Sequence, residues 1–258
     1  MNYAERLAKQ FTAYKQVIEN LSLKCYEELT LYELEQLANA YRATGQLSQL
    51  SDLDFVPRTS FSPTPYILQN EFLSKEQIQQ VWGHVEKHQE LFQNSIMLDD
   101  QVDSSYRKSK VLYEEALKSI IPWFLNKVAQ LLNNSWKSLS LEVEKIKHQE
   151  IQMTLHEQGA FFQMHQDASH SGTASNRYVT FVYYFYKEPK AFEGGDLILF
   201  DMDEGSKIPG TMYTRYQPRH NNSIILFPSK AYHLVTPVNL PQKNPLNGRF
   251  TLNGWLHR

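Results

Sequence analysis

The sequence contains one cysteine, Cys25, among 258 residues. A single thiol excludes an intrachain disulfide framework and any metal site built from several thiolates. The first residues, Met1 to Lys9, also lack the apolar core of a signal peptide. These features are typical of a protein in a reducing compartment, and we therefore expect a cytoplasmic location.

Long apolar runs and a charge excess are lacking as well. No run approaches the roughly 20 apolar residues that a membrane-spanning helix needs. The net charge is −2, which gives no reason to expect binding to nucleic acid or to an anionic membrane. Aromatic residues, in contrast, are abundant, with 15 Tyr and 14 Phe. Because aromatics favour sheets and pocket walls, they predict a strand-rich region with a cavity.

The pattern of apolar residues divides the chain into two regions. Between Leu7 and Leu21 they recur at spacings of three and four, as on one face of a helix. A stretch rich in Pro and Ser, Pro57 to Pro65, then interrupts the pattern and is typical of a linker. We predict an N-terminal helical region over residues 1–60 and a second domain over residues 61–258.

The second domain is predicted to contain helices first and strands later. Ser74 and Gln77 form a capping box that predicts the start of one helix, and a further helix is expected at about 111–133. From about residue 140 the period changes, and several short strand-like runs appear, separated by turn residues. An α+β fold with a sandwich or barrel core over about 140–258 follows. The predicted core strands are Glu150–Leu155, Tyr178–Tyr186, Asp196–Phe200, Ser223–Phe227 and Phe250–Leu256.

Three residues in the strand-rich region are candidate metal ligands. His165 and Asp167 are two residues apart, so on a strand both side chains point to the same face. His233 would have to reach the same ion from a distant strand or loop. Two imidazoles and one carboxylate with open coordination positions favour non-haem Fe(II). A His-x-Asp pair alone is also common on protein surfaces where it binds no metal, so the hypothesis depends on the surrounding motifs.

Those motifs occur in a characteristic order. H-x-D is followed by V-Y-Y, G-G-x-L, F-P-S-x-x-x-H and R-x-x-x-x-G-W, the last beginning at Arg249. In this order the sequence resembles the Fe(II)- and 2-oxoglutarate-dependent dioxygenase superfamily, particularly its prolyl 4-hydroxylase-like branch. The resemblance extends from about Tyr66 to Arg258 and is dense from Glu150. It implies a double-stranded β-helix core, the jelly-roll of cupins, with the N-terminal helices packed against it.

The resemblance also implies roles for individual residues. His165, Asp167 and His233 would bind Fe(II), and Arg249 would bind the distal carboxylate of 2-oxoglutarate through its planar fork of donors. Where relatives carry a tyrosine near the co-substrate, this chain has His156, which either binds the same carboxylate or is a half-buried strand residue. The remaining residues expected to line the co-substrate pocket are Tyr183, Leu197 and Asn253.

The implied reaction is hydroxylation of an unactivated C–H bond. Dioxygen and 2-oxoglutarate would be consumed, succinate and CO2 released, and ascorbate is a candidate reductant. Asp167 favours hydroxylation, because related halogenases have a small residue there. The substrate would be a peptidyl residue, an amino acid or a small natural product. Two alternatives remain open, namely a cupin-type metal-dependent isomerase or hydrolase and a non-catalytic jelly-roll binding module.

The expectations about substrates and partners rest on fewer observations than the metal site does. Residues 94–110 and 168–177 are predicted to be substrate loops, and His170 in the second is either a fourth ligand or an ordinary loop histidine. The N-terminal helices are candidates for forming a homodimer, for docking a peptide or for supporting the barrel. Four arginines are candidates for binding an acidic substrate group, although each is also typical of a solvated charge: Arg107, Arg177, Arg215 and Arg219.

Overall fold

A computed structural model of the chain describes residues 61–95, 106–169, 172–203, 209–217, 221–242 and 244–258. The predicted N-terminal helical region therefore lies outside the described residues, and the boundary near residue 60 stays a prediction. The chain forms two compact units. The main unit comprises Pro65–Leu197 and Tyr216–Arg258, and the described part of the other comprises residues 61–64, 198–203 and 209–215.

The described helices are α1 (Lys75–Lys87), α2 (Glu114–Leu117) and α3 (Ile121–Ser135). The predicted capping box is confirmed, because the Gln77 amide donates to Ser74 Oγ at 3.3 Å and the Ser74 amide donates to Gln77 Oε1 at 3.0 Å. The helix predicted from residue 111 begins later. Pro122 lies in the first turn of α3, where no amide hydrogen is needed.

The described strands are β1 (Phe61–Ser62), β2 (Ile67–Asn70), β3 (Gln93–Asn94), β4 (Arg107–Lys108), β5 (Lys110–Leu112), β6 (His148–His156), β7 (Phe161–His165), β8 (Arg177–Phe185), β9 (Glu193–Gly194), β10 (Leu197–Asp203), β11 (Pro209–Tyr216), β12 (Ser223–Pro228), β13 (His233–Val235), β14 (Val238–Asn239) and β15 (Arg249–His257). The five predicted core strands are all present as β6, β8, β10, β12 and β15, with ends shifted by a few residues. The predicted loop at 94–110 instead holds β4 and parts of β3 and β5 on either side of residues 96–105, which are not described.

A seven-stranded antiparallel sheet dominates the main unit, in the order β2-β12-β8-β15-β6-β5-β3. One face packs against the helices. The Trp82 ring of α1 lies 5.3 Å from the rings of Phe185 and Phe250, and Phe124 of α3 lies 5.6 Å from Tyr183. Because side chains alternate along a strand, the opposite face of β6, β8 and β15 is available for a cavity.

A second group of strands in the main unit brings distant residues together. β7 pairs with both β13 and β4 in antiparallel fashion, and His165 is the direct partner of His233. β9 and β14 form a separate two-stranded ribbon. In the other unit β10 pairs with β1 and β11, with Phe61 opposite Asp203.

Candidate metal and co-substrate site

The three predicted metal ligands meet at the junction of β7 and β13. The Nε2 atoms of His165 and His233 lie 3.6 Å and 3.4 Å from the two carboxylate oxygens of Asp167. One ligand atom from each residue lies within 4.8 Å of the other two. All three side chains are buried to nine-tenths or more. The geometry therefore suits a single ion held on one side by two imidazoles and a carboxylate.

Backbone carbonyls fix the tautomer of both histidines. The Nδ1 of His165 donates to the Gln163 carbonyl at 2.7 Å, and that of His233 donates to the Ala231 carbonyl at 2.9 Å. Each Nε2 is then left with a lone pair directed toward Asp167. Burial and the neighbouring His165 lower the pKa of His233 to about 4. A neutral imidazole at pH 7 is the form that binds a metal.

Two residues that are not metal ligands hold the Asp167 carboxylate in place. Thr180 on β8 donates from Oγ1 to Asp167 Oδ2 at 2.7 Å, and the Ser229 hydroxyl lies 3.0 Å from the same Oγ1. Burial alone would raise the pKa of Asp167, but His233, His165 and the Thr180 hydrogen bond together hold it far below its ordinary value. The carboxylate is therefore ionised and oriented before any ion binds.

Replacing Thr180 with valine is expected to weaken metal binding about 10- to 100-fold, the usual effect of removing a hydrogen-bond partner behind a ligand. The shape of the side chain is kept, so the fold should survive. Mn²⁺ binding followed by electron paramagnetic resonance measures the change. Thr64→Val is the matched control, because Thr64 is an equally buried threonine that binds the Phe200 carbonyl in the other unit. Equal affinity of Thr180→Val and the control would contradict the role of Thr180.

Arg249, at the start of β15, lies in the same cavity and is only 2% exposed. Its Nη1 is 3.0 Å from His156 Nδ1, its Cζ lies 4.9 Å from the Tyr184 ring centre, and its Nε has no hydrogen-bond partner. None of the ion pairs formed by described residues includes it. Burial lowers the pKa of Arg249 below its ordinary value. A buried cation in this state suits the carboxylate of a ligand.

His156 is buried rather than half-buried, and it lines the cavity beside Arg249. Because a guanidinium only donates, His156 Nδ1 must accept and its proton must sit on Nε2. Burial, and then the charges of Arg249 and Arg107, lower the pKa of His156 well below its ordinary value. The ring is therefore neutral and offers one N–H donor, which agrees with the expected contact to a carboxylate.

Gly194 and Gly195 are the two glycines of the G-G-x-L motif, and Gly195 leaves room for the side chain of Arg249. Both glycines have a φ of +67°, in the left-handed region. A Cβ on Gly195 would lie 2.5 Å from Arg249 Cδ and 3.0 Å from Arg249 Nε. The turn thus leaves the space through which the arginine reaches the cavity.

Gly195→Ala is expected to displace Arg249 and raise the half-saturating concentration of 2-oxoglutarate by about 5- to 150-fold, corresponding to an overpacking cost of about 1–3 kcal/mol. Gly159→Ala is the matched control. It has the same kind of backbone, with φ +68°, but its nearest contact is the end of the Lys108 side chain at 3.4 Å. Steady-state kinetics of the two variants separates the steric effect from backbone strain. A similar rise in both would exclude a specific clash with Arg249.

The cavity is lined by residues of β6, β8 and β15 of the large sheet, by residues of β4, β7, β10 and β13, and by Asp167 just after β7. Asn253 and Leu197 line it as predicted, and Asn253 Oδ1 accepts from Thr154 at 2.7 Å and Thr251 at 3.2 Å. The full set of lining residues is Arg107, Gln152, Thr154, His156, Phe162, His165, Asp167, Thr180, Val182, Tyr184, Leu197, His233, Val235, Arg249, Thr251, Asn253 and Trp255.

The structure places Tyr183 away from the cavity, which corrects the prediction. Its ring packs on Phe124 in the helix-facing core, and its hydroxyl donates to Asn222 at 3.0 Å. The neighbouring Tyr184 lines the cavity instead, because consecutive strand residues face opposite ways. Trp255 also lines the cavity, and its Nε1 has no hydrogen-bond partner.

The four candidate substrate arginines are not gathered into one group. Arg107 lines the cavity, with Cζ 4.8 Å from the Phe162 ring centre. Arg177 binds Glu150 at 2.6 Å. Arg215 belongs to the other unit, and Arg219, like His170, lies outside the described residues. Sequence reasoning missed Thr180 and Gln152, which the alternation along β8 and β6 would have placed on the cavity face.

Comparisons with known proteins agree with this geometry. Residues 151–257 match the 2OG-Fe(II) oxygenase superfamily. The chain is 30% identical over 257 residues to an uncharacterized PKHD-type hydroxylase of Synechocystis sp., covering 98% of this chain and 81% of that relative. A Pseudomonas putida prolyl-4-hydroxylase is similar in structure, with a TM-score of 0.53 and 19% identity over 76% of this chain and 93% of that one.

A prolyl hydroxylase of Trichoplax adhaerens, solved with a hypoxia inducible factor oxygen degradation domain peptide fragment, gives a TM-score of 0.58 at 17% identity. That comparison covers 92% of this chain and 95% of the other. These two structures support the predicted jelly-roll of antiparallel strands, while the packing of residues 1–60 stays untested.

The cavity and its fold define a hydroxylase-type oxygenase that uses Fe(II), 2-oxoglutarate and dioxygen. The chain belongs to the 2OG-Fe(II) oxygenase superfamily. No helix in the described part of the chain combines the length and apolarity needed to cross a bilayer.

Proposed function

We propose that His165, Asp167 and His233 hold Fe(II), that Arg249 binds the distal carboxylate of 2-oxoglutarate, and that the enzyme hydroxylates a peptidyl residue. The observation that carries this assignment is the buried guanidinium of Arg249, with an unpartnered Nε, in the same cavity as the His/Asp/His group. When bound, Fe(II), 2-oxoglutarate and dioxygen supply the oxidation of an unactivated C–H bond, with release of succinate and CO2.

The surrounding residues position the co-substrate and exclude water. Arg249 provides the charge, and His156 offers its Nε2 proton to the same carboxylate. Thr154 and Thr251 both donate to Asn253 Oδ1, so the Asn253 amide group remains as a fixed donor in the cavity. Apolar side chains of the wall, among them Leu197, reduce solvent access around the ligand.

Two observations favour a peptide substrate. Gln152 Nε2 and Trp255 Nε1 are buried donors that line the cavity and have no hydrogen-bond partner. Such donors suit carbonyl oxygens, which a peptide presents at every residue. The two structurally similar prolyl hydroxylases, one of them solved with a peptide, point the same way. Asp167 completes the ligand set, which favours hydroxylation.

Other expectations remain predictions. The single Cys25 supports a cytoplasmic location, and a homodimer through residues 1–60 depends on a part of the chain that is not described. No observation favours an isomerase, a hydrolase or a non-catalytic binding module over the hydroxylase.

Anaerobic addition of Fe(II) and 2-oxoglutarate is expected to produce a weak visible charge-transfer band, and His165→Ala should abolish it. Gln166→Ala is the matched control, because Gln166 lies between the two ligands in sequence, is only half-buried and is not among the residues that line the cavity. Succinate release should then increase with pooled peptides more than with free amino acids. No band in the wild-type protein would refute the co-substrate assignment. A band with stimulation by free amino acids alone would refute the peptide assignment.

A further inference from the structure

A second group of metal-ligand side chains lies on the cavity-facing side of the large sheet, beyond Trp255. His148 and Glu150 are on β6, and His257 is on β15. In the register of these strands, His257 is opposite His148, and Trp255 is opposite Glu150. Since alternate residues share a face, His148, Glu150 and His257 continue the row that begins at Arg249 and His156. The group therefore lies at the other end of this row from the co-substrate anchor.

The ligand atoms of this group converge. The rings of His148 and His257 are 5.1 Å apart, and one ligand atom from each of the three residues lies within 4.8 Å of the others. His257 Nε2 lies 2.9 Å from Glu150 Oε1, yet it makes no hydrogen bond of acceptable geometry, although His257 is only 5% exposed. A buried ring nitrogen without a hydrogen-bond partner, next to a carboxylate oxygen, suits an ion that both would bind.

Arg177 fixes the carboxylate in the orientation that such an ion needs. Its Nη2 donates to Glu150 Oε2 at 2.6 Å, which leaves Oε1 facing His257. The guanidinium is itself held against the Trp255 ring, with Cζ 3.6 Å from the ring centre, and Nη1 donates to the Asp167 carbonyl at 3.3 Å. Partners of this kind orient metal-binding carboxylates in known sites. The positive charge of Arg177 also reduces the attraction for a cation, so we expect weaker binding than at a closed structural site.

We propose that His148, Glu150 and His257 form a second metal site, distinct from the iron site, which takes a divalent transition-metal ion of the Zn²⁺ type. Two imidazole nitrogens and one carboxylate oxygen are the protein ligands of many Zn²⁺ sites that keep an open position. His148 is exposed, so the ion can enter from solvent and the His148 ring can rotate to complete the ligand set.

Zn²⁺ titration of the full-length, chelator-treated protein by isothermal calorimetry tests the proposal. His148→Ala is expected to bind one ion fewer than the wild type, as is His233→Ala, and the double variant two fewer. His148 is exposed, so its replacement should not affect folding. Lys147→Ala is the matched control, because Lys147 is as exposed as His148, precedes it in sequence and is protonated at pH 7, so it offers no lone pair to an ion. This control should bind as many ions as the wild type.

Equal ion counts for His148→Ala and the wild type would overturn the second site. The second site would also be overturned if the double variant bound only one ion fewer than the wild type. In that case His148→Ala and His233→Ala would each remove the same ion. The result is independent of the proposed function, because His148→Ala should still give the charge-transfer band with Fe(II) and 2-oxoglutarate. Absence of that band from the wild type would refute the iron and co-substrate assignment and leave the Zn²⁺ count to decide the second site.

Discussion

Arg249→Met is expected to raise the half-saturating concentration of 2-oxoglutarate by about 30-fold to more than 1,000-fold. Removing one partner of a buried, hydrogen-bonded charge pair costs about 2–5 kcal/mol, and about 1.4 kcal/mol corresponds to a factor of ten. In the proposed complex Arg249 supplies the charge opposite the distal carboxylate. Steady-state kinetics with varied 2-oxoglutarate and saturating Fe(II) measures the effect.

The stability of the variant without ligands distinguishes this role from a structural one. A buried guanidinium that pairs with no described carboxylate costs free energy in the empty protein, so an apolar side chain of similar length should leave the melting temperature unchanged or higher. Arg249→Lys keeps the charge but loses the planar fork, and we expect intermediate affinity. Arg258→Met, at an exposed arginine near Tyr178, is the control. A large loss of apo stability in Arg249→Met with unchanged 2-oxoglutarate affinity would contradict the assignment.

The residues of the iron site could be predicted because local geometry carries most of the information. His165 and Asp167 are two residues apart on or beside one strand, and the motifs after them follow a recognisable order. The pairing of β7 with β13, which places His233 opposite His165, was implied by that order alone. The core strands were predictable for a similar reason, since each is a short strand-like run and turn residues separate one run from the next.

The residues that were missed depend on strand parity and register, which a single sequence does not reveal. From the sequence, Tyr183 and Tyr184 are equally plausible cavity residues. Only the packing of Tyr183 on α3 decides that Tyr184 faces the cavity. The Thr180 contact to Asp167 and the approach of Gly195 to Arg249 both join segments that are adjacent only after folding. The His148, Glu150 and His257 group likewise depends on the pairing of β6 with β15.

Asp167→Asn is expected to reduce succinate formation more than 100-fold, beyond the roughly 10- to 100-fold range that an outer partner such as Thr180 accounts for. The amide keeps the size of the side chain but removes the only negative charge of the ligand set, so two neutral imidazoles remain. The variant should fold normally, since a buried carboxylate is costly without an ion. The stabilisation that Fe(II) gives through this site should disappear, whereas in the wild type this site should contribute about 2.7 kcal/mol at a metal concentration 100 times its Kd.

Glu150→Gln provides the comparison that decides which His/carboxylate/His group holds the catalytic iron. Glu150 is the carboxylate of the other group, and Arg249 and His156 lie at the opposite end of the row. The charge-transfer band with Fe(II) and 2-oxoglutarate should therefore persist in Glu150→Gln and vanish in Asp167→Asn, while the Zn²⁺ count should fall by one ion in each. Loss of the band in Glu150→Gln together with its persistence in Asp167→Asn would transfer the iron to the His148 group, because 2-oxoglutarate can bind only beside the ion that gives the band.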